Sequence, residues 1–475
     1  MARHSFRIVI ASALSCFALA SAPMARAQES LEVAHDVVRR WNRIAIDASG
    51  LDHTPVAEGE TRTFGEQLGP GRSSRAMAIV HIAMFEAANA VRRRYHSYVG
   101  VSRAPGGTSF DAAVATAAHD TLVAMFPSQA AAFHRRLAED LFRIPPRLML
   151  AVFKGVMVGR RAAAVILDLR SDDGSDHAEP HMYEDYSPGD GPGIWDQDPI
   201  GLSPLAMGAH WGEVRPFVLS SSDQFRTPPP PALDSADYTD AFLEVAALGG
   251  DGVTTPTVRT EDQTEAGIYW AYDGTPSLCA PPRLYNQITV HIATLRNTDV
   301  VDLARLLALV NVAMADAGIG IWESKYHWAF WRPVTGIREA DSDGNPDTPG
   351  DPAFSPLGAP ASNLTGPNFT PPFPAYPSGH AGFGGALFQT LRNVYGTDAI
   401  PFTFVSDELN GTTLDDQGNV RPLRPRSFTT LSQAEEENGQ SRIYLGIHWV
   451  FDKDEGIAQG RLIADWVFAN AFRPL

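Results

Sequence analysis

The chain has 475 residues, 44% of them hydrophobic, and a formal net charge of −17 at pH 7. That content supports a large buried core, as two or three domain-sized units or one large helical body, and excludes a disordered chain. The acidic balance argues against nucleic acid as a partner.

Residues Met1 to Ala27 place Arg3 and Arg7 before an apolar run from Ile8 to Ala20 and close on Ala25-Arg26-Ala27, the pattern of a secretory signal. Export to a periplasm or to the medium is therefore expected. The run is too short for a membrane span, and no later stretch offers about 18 uninterrupted apolar residues. Cleavage after Ala27 would remove three arginines and no acid, taking the formal charge from −17 to about −20. Cys16 would leave with it, and Cys279 alone could form no intrachain disulfide.

From Leu31 to about Arg170 the apolar spacing predicts helices, among them Ser74 to Val91, Phe110 to Met125 and Pro146 to Leu169. Their alanine-rich faces suit close packing, and this half reads as a structural bundle with no chemistry of its own. Between Ser171 and Ala232, clusters of Asp, Gly and Pro ending in Thr227-Pro-Pro-Pro-Pro-Ala232 cannot continue a helix. The predicted division is thus an N-terminal bundle with its linker over 28–232 and a second bundle over 233–475, in an all-α protein.

The second half predicts helices at Tyr238 to Leu248, Glu261 to Ala271, Pro282 to Thr294 and Val300 to Ala317, the last apolar on nearly every side and so central. The loop Asp341 to Asp347 alternates oxygen-bearing side chains like the start of a calcium loop. Pro346 and Pro352, however, stand where such a loop needs its turn glycine and final glutamate, so a solvated acidic loop is preferred and calcium is the alternative. Helices resume near Gly379 to Tyr395, Leu431 to Leu445 and Lys453 to Ala469, with Asp452 and Glu455 as a capping-box-like start to the last.

Three stretches carry chemistry. Lys325-Tyr-His-Trp-Ala-Phe-Trp-Arg332-Pro333 sets a lysine and an arginine seven apart, one face of a continuous helix. Pro371 to Gly385 is a proline-stiffened loop entering a helix start, where the N–H groups of Ser378, Gly379 and His380 and the positive end of the helix dipole face any oxyanion. Gly379 lets that ligand approach the backbone. Ser441-Arg442-Ile-Tyr-Leu-Gly-Ile-His448-Trp-Val-Phe-Asp452 adds a third permanent cation and a second histidine. Desolvating a phosphate-like trianion requires such donors, and together they are the parts of a tetrahedral oxyanion site.

In this order the three stretches resemble the signature shared by vanadium-dependent haloperoxidases and the type 2 phosphatidic acid phosphatase superfamily. Tyr269-Trp-Ala-Tyr-Asp273, Pro281 to Gln287, Phe330 to Pro333 and Pro371 to His380 narrow the resemblance to the vanadium chloroperoxidase type, over roughly residues 260 to 460. The resemblance implies helical bundles and vanadate in its +5 state, acting as a Lewis acid. Its substrates would be hydrogen peroxide and chloride or bromide, and its product hypohalous acid.

It further implies Lys325, Arg332, Arg442, Ser378 and Gly379 around the oxyanion, and His448 bonded to vanadium. His380 would be the acid–base partner, Lys325 would polarise the peroxide, and Asp273 would pair with Arg442. Asp452 either orients His448 or caps the final helix. Trp322 and Phe373 match the aromatics beside the halide, with Phe373 where bromide-preferring relatives commonly carry histidine. The Glu323-Ser324 that follows Trp322 departs from the charged pair of the type. The same motifs fit an acid phosphatase working through a phosphohistidine at His448, which is the alternative reading. A non-enzymatic oxyanion binder ranks last, because it needs no pair of histidines. Oligomeric state and physiological halide are left open.

Overall fold

The longest helix among the described residues becomes the axis of the molecule. In the computed structural model, which describes residues 36–475, the Met1 to Ala27 segment lies outside the described residues. The first half supplies α1 (Val37–Asp52), α2 (Gly69–Val91), α3 (Phe110–Met125), α4 (Ala130–Arg143) and α5 (Met149–Leu169). The second supplies α6 (Ala236–Leu248), α7 (Glu261–Tyr269), α8 (Pro282–Leu295), α9 (Val300–Trp328), α10 (Pro333–Arg338), α11 (Gly379–Tyr395), α12 (Leu431–Tyr444) and α13 (Val450–Asn470).

Helix α9 is that axis. Asp299 caps it by accepting the Val301 N–H, and α2, α8, α11 and α13 surround it. The expected stop near Ala317 is corrected, since the helix runs on to Trp328 through Gly318 and Gly320. Those glycines thin the helix rather than end it: a Cβ at Gly318 would lie 3.3 Å from both Phe383 and Ser74. One at Gly320 would lie 3.3 Å from the Ser222 carbonyl. Helices α11 and α13 also pack backbone to backbone. A Cβ at Gly456 would stand 2.6 Å from the Ser378 carbonyl oxygen and one at Gly385 2.6 Å from that of Ile457.

The fold is mainly helical, with one antiparallel hairpin among the described residues added to the all-α expectation. In it β1 (Phe402–Asn410) pairs with β2 (Leu423–Phe428), Phe402 facing Phe428 and Val405 facing Pro425. One hydrophobic cluster runs through both halves of the chain, from Val38 and Trp41 to Val467 and Phe472. Part of the predicted linker is clasped onto the axis. Asp316 of α9 accepts the N–H groups of Phe217, Val218 and Leu219 at 2.6, 2.8 and 3.0 Å.

The acidic loop 341–347 spends oxygens internally. Asp343 accepts the Asn345 N–H at 2.7 Å and the Thr348 hydroxyl at 2.8 Å, while the Asn345 amide donates to the Leu233 carbonyl and to Thr239. Among the described residues no group of three or more His, Cys, Asp or Glu side chains is placed to hold a metal ion, so the calcium alternative is not supported. Among the same residues no helix is long and apolar enough to cross a membrane.

Candidate active site

Both histidines sit at helix N-termini. Ser378 caps α11 by accepting the Ala381 N–H, and Gly379 and His380 are its first two residues, whose N–H groups have no intrahelical acceptor. His448 lies just before α13. Asp452, in the first turn of that helix, accepts the Trp449 N–H at 3.0 Å and, with the same oxygen, His448 Nδ1 at 2.7 Å. The two sequence readings of Asp452 therefore coexist in one carboxylate. The expected Asp452/Glu455 cap is corrected, since Asp452 lies within the helix and caps at Trp449. The Ser378 N–H donates to the Asp452 carbonyl at 2.8 Å, which ties the two helix starts together and corrects the expectation that this N–H faces the oxyanion.

Lys325 and Arg332 do not share a helix face, contrary to the spacing argument. Helix α9 ends at Trp328, Ala329 turns the chain in the left-handed region at φ 45°, and Arg332 is the N-cap of α10. Both cations still converge on the proline loop. Lys325 Nζ donates to the Pro374 and Ala375 carbonyls at 2.7 and 2.9 Å, and Arg332 Nε to the Phe373 carbonyl at 2.8 Å. Arg332 Nη1 donates to the Ile447 carbonyl at 2.8 Å and faces His448 Nε2 at 3.0 Å. Arg442, in the last turn of α12, donates from Nη2 to Asp273 Oδ1 at 2.7 Å.

A cavity of about 250 Å³ has walls that include Asp273, Gly379, His380, Arg442 and His448. Arg332 Nη2 and Arg442 Nε and Nη1 are buried with no acceptor among the described residues. Unpaired buried guanidinium N–H groups are costly, and only an acceptor can satisfy them. Gly379 keeps the floor open: a Cβ there would stand 3.2 Å from the Trp322 ring and 4.0 Å from Lys325 Cε.

The electrostatics agree with the geometry. Burial, then the neighbouring Arg332 and Lys325, hold His448 far below the usual histidine range, so the imidazole is neutral. With its Nδ1–H given to Asp452, its lone pair is at Nε2. Burial, then Arg332, likewise pushes Lys325 well below the ordinary lysine range, while burial, against the opposing charge of Asp452, brings Arg332 down to about 9. Asp452 is raised by burial to about 7. A tetrahedral oxyanion fits this donor set, which packs like charges together without enough anion to balance them.

His380 is pulled down to about 4, by burial first and the Arg442 guanidinium second. Its Nε2–H donates to the Ala271 carbonyl and lies 3.7 Å from Asp273 Oδ1, which leaves the lone pair at Nδ1. Its main-chain carbonyl is held by Asn438 Nδ2 at 3.0 Å and by the Tyr285 hydroxyl at 3.1 Å. Neither positioning residue was singled out from the sequence.

Trp322 and Phe373 line the cavity with ring centroids 4.9 Å apart. The Phe373 ring lies 5.1 Å from Lys325 Nζ and 4.9 Å from the Arg332 guanidinium carbon. The Trp322 N–H is taken by the Met207 carbonyl at 3.2 Å, so its nitrogen is committed to the backbone. The first half is not idle: His53, Phe64, Leu68 and Pro70, from the α1–α2 connection and its ends, close the cavity on one side. Nothing local in the sequence marks that lid, because it meets the motifs only through folding.

Residues 305–475 match the family model of the VCPO second helical-bundle domain. The chain is 32% identical to the vanadium chloroperoxidase of Curvularia inaequalis over 510 aligned positions, covering 90% of this chain and 81% of the relative. A bacterial vanadium-dependent iodoperoxidase structure superposes with a TM-score of 0.71 at 24% identity, covering 92% of this chain and 97% of the other. A holo-form bacterial vanadium-dependent chloroperoxidase structure gives 0.60 at 17% identity, covering 87% and 95%. The structural likenesses concern the fold.

Proposed function

Because the chain belongs to the vanadium-dependent haloperoxidases, we propose that its cavity holds vanadate against His448 Nε2 and that chloride and bromide are its halides. The observation that carries this reading is the set of orphaned N–H groups on Arg332 and Arg442 around a neutral imidazole whose other nitrogen is fixed by Asp452. Overall, a haloperoxidase converts hydrogen peroxide, halide and a proton to hypohalous acid and water.

When bound, vanadate would supply Lewis acidity toward peroxide without changing its own oxidation state. The chain's residues do the rest. Asp452 holds the His448 ring with its lone pair at Nε2, which accepts the Arg332 Nη1–H at 3.0 Å until a bound group takes that place. Arg332, Arg442 and the first amides of α11 neutralise and orient its oxygens, and Asp273 fixes the Arg442 fork. His380, with its lone pair at Nδ1, takes a proton from incoming peroxide and later returns one. Lys325, held by two carbonyls, regains its charge beside an anion and draws electron density from the peroxide oxygen. Phe373 and Trp322 limit hydration where the halide approaches.

The test is to reconstitute the protein with orthovanadate and supply peroxide with chloride, bromide or iodide and a halogen-accepting dye. A phosphomonoester assay without vanadate runs beside it. Vanadate-dependent halogenation with chloride and bromide supports the proposal, and turnover confined to iodide would remove the halide assignment. The same cradle fits phosphate, with His448 as nucleophile, and phosphate-ester turnover without halogenation would favour that chemistry. Export to the periplasm or the medium is proposed on the Met1 to Ala27 pattern, and N-terminal sequencing of the fractionated protein tests it.

A further inference from the structure

The α4–α5 hairpin carries an outward face that no other part of the described residues covers. Helix α5 is pinned to α3 through its small residues: a Cβ at Gly155 would lie 2.8 Å from Ala112 Cβ, and one at Gly159 2.7 Å from Thr116 Cβ. The opposite side of α5 bears Met149, Phe153 and Met157 at helical spacing, 66%, 62% and 50% exposed. Leu148 and Leu150 stand beside them at 44% and 67%, and Phe142, at the end of α4, is 92% exposed. Large apolar side chains gathered this way mark a docking surface rather than scattered surface hydrophobes.

The charges around the face are one-sided. Between Arg143 and Arg161 the sequence has Arg143, Arg147, Lys154, Arg160 and Arg161 and no acid, in a chain whose net charge is −17. The nearest acids upstream, Glu139 and Asp140, are already taken by Arg40, Arg136 and Arg143. Arg147, Arg160 and Arg161 are exposed and have no carboxylate partner among the described residues.

We propose that this hairpin is a lipid-docking surface: Phe142, Leu148, Leu150 and Phe153 enter the interface of a bilayer while Arg147, Arg160 and Arg161 meet anionic headgroups. Apolar side chains flanked by Lys and Arg with no acids are the chemistry such an interface recognises. A two-fold pairing with a second copy would instead set these cations against themselves. The protein lies on the bilayer and does not cross it, because α5 is packed on α3 by its other side.

Flotation of the full chain with vesicles of phosphatidylcholine containing one quarter phosphatidylglycerol tests this, at 50 mM and 500 mM salt. Binding is expected at low salt, lost at high salt and absent with phosphatidylcholine alone. The triple variant Arg147→Glu, Arg160→Glu, Arg161→Glu should lower the partition on the order of a hundredfold. The variant Phe142→Ser, Phe153→Ser should lower it about tenfold or more. Both variants alter exposed side chains outside the active cavity, so melting temperature and halogenation should match the parent. No binding to the anionic vesicles, or binding that neither variant weakens, overturns the proposal. So does a dimer seen by light scattering that the serine variant dissociates, since that would make a second copy the occupant.

Discussion

Among the described residues the Arg442 guanidinium grips Asp273 through one nitrogen, Nη2 to Oδ1 at 2.7 Å, and its Nε and Nη1 remain buried without acceptors. The carboxylate thus fixes the fork without filling it. Asp273→Asn keeps an accepting oxygen but removes the charge. Vanadate affinity should fall about 10- to 100-fold in calorimetric titration with orthovanadate. The vanadate-free protein should also melt lower, because breaking a buried pair costs about 3–5 kcal/mol. Unchanged affinity would mean that Asp273 serves only the fold.

The two histidines should separate by assay. His448→Ala removes the lone pair at Nε2 and should abolish vanadium retention after gel filtration, and halogenation with it. His380→Ala leaves the oxyanion donors in place, so vanadium should be retained while halogenation falls about 100-fold or more. Equal vanadium content and equal residual rates in the two variants would contradict this division.

Acid should expose His380. Its proton affinity is depressed in the folded protein to about 4, against about 6.5 for a solvated histidine. A depressed histidine contributes stability that is fully present above about 6.5 and is lost as pH falls toward 4, up to about 3 kcal/mol. Thermal melts of the vanadate-free protein should therefore drop over that window, and less steeply in His380→Ala. Vanadate should flatten the drop by stabilising the imidazolium. Parallel melting profiles for parent and variant would show that other groups carry the acid response.

Phe373 stacks near both Lys325 and Arg332. Replacing it with histidine introduces a hydrated, chargeable ring at the apolar wall. We expect kcat/KM for chloride to fall about tenfold relative to bromide, with vanadium retention unchanged. Equal losses for the two halides would place Phe373 in packing alone.

Gly456→Ala should act at a distance from any ligand. Its Cβ would meet the Ser378 carbonyl oxygen at 2.6 Å and wedge α13 off α11. Overpacking of this kind costs about 1–3 kcal/mol, and the melting temperature should fall accordingly. Both histidines should feel the shift, so halogenation and vanadate affinity should decline together. A variant with the parent's melting temperature would show that the interface can relax.

The motif residues were legible because each motif is local and its chemistry is unusual for its setting. Lys325 and Arg332 were placed together for the wrong reason, since the left-handed turn at Ala329 has no glycine to announce it. The β1–β2 hairpin escaped notice because its buried residues include Ser406 and Glu408, the latter paired with Arg421, which erases the apolar alternation of a strand. Helix α9 runs past Ala317 because Gly318 and Gly320, instead of ending it, make room for Phe383, Ser74 and Ser222. Tyr285, Asn438 and the lid from the first half were invisible for a different reason. Their importance is a property of three-dimensional neighbours, and no spacing rule in a single chain encodes it.

The separation of the two imidazoles is governed by one rigid joint, the glycine contact of α11 with α13 and the Ser378–Asp452 main-chain bond. The apolar rim and lid take no part in that joint. On the proposed reading, substitutions there would retune which anion is oxidised while the cradle itself stays in register.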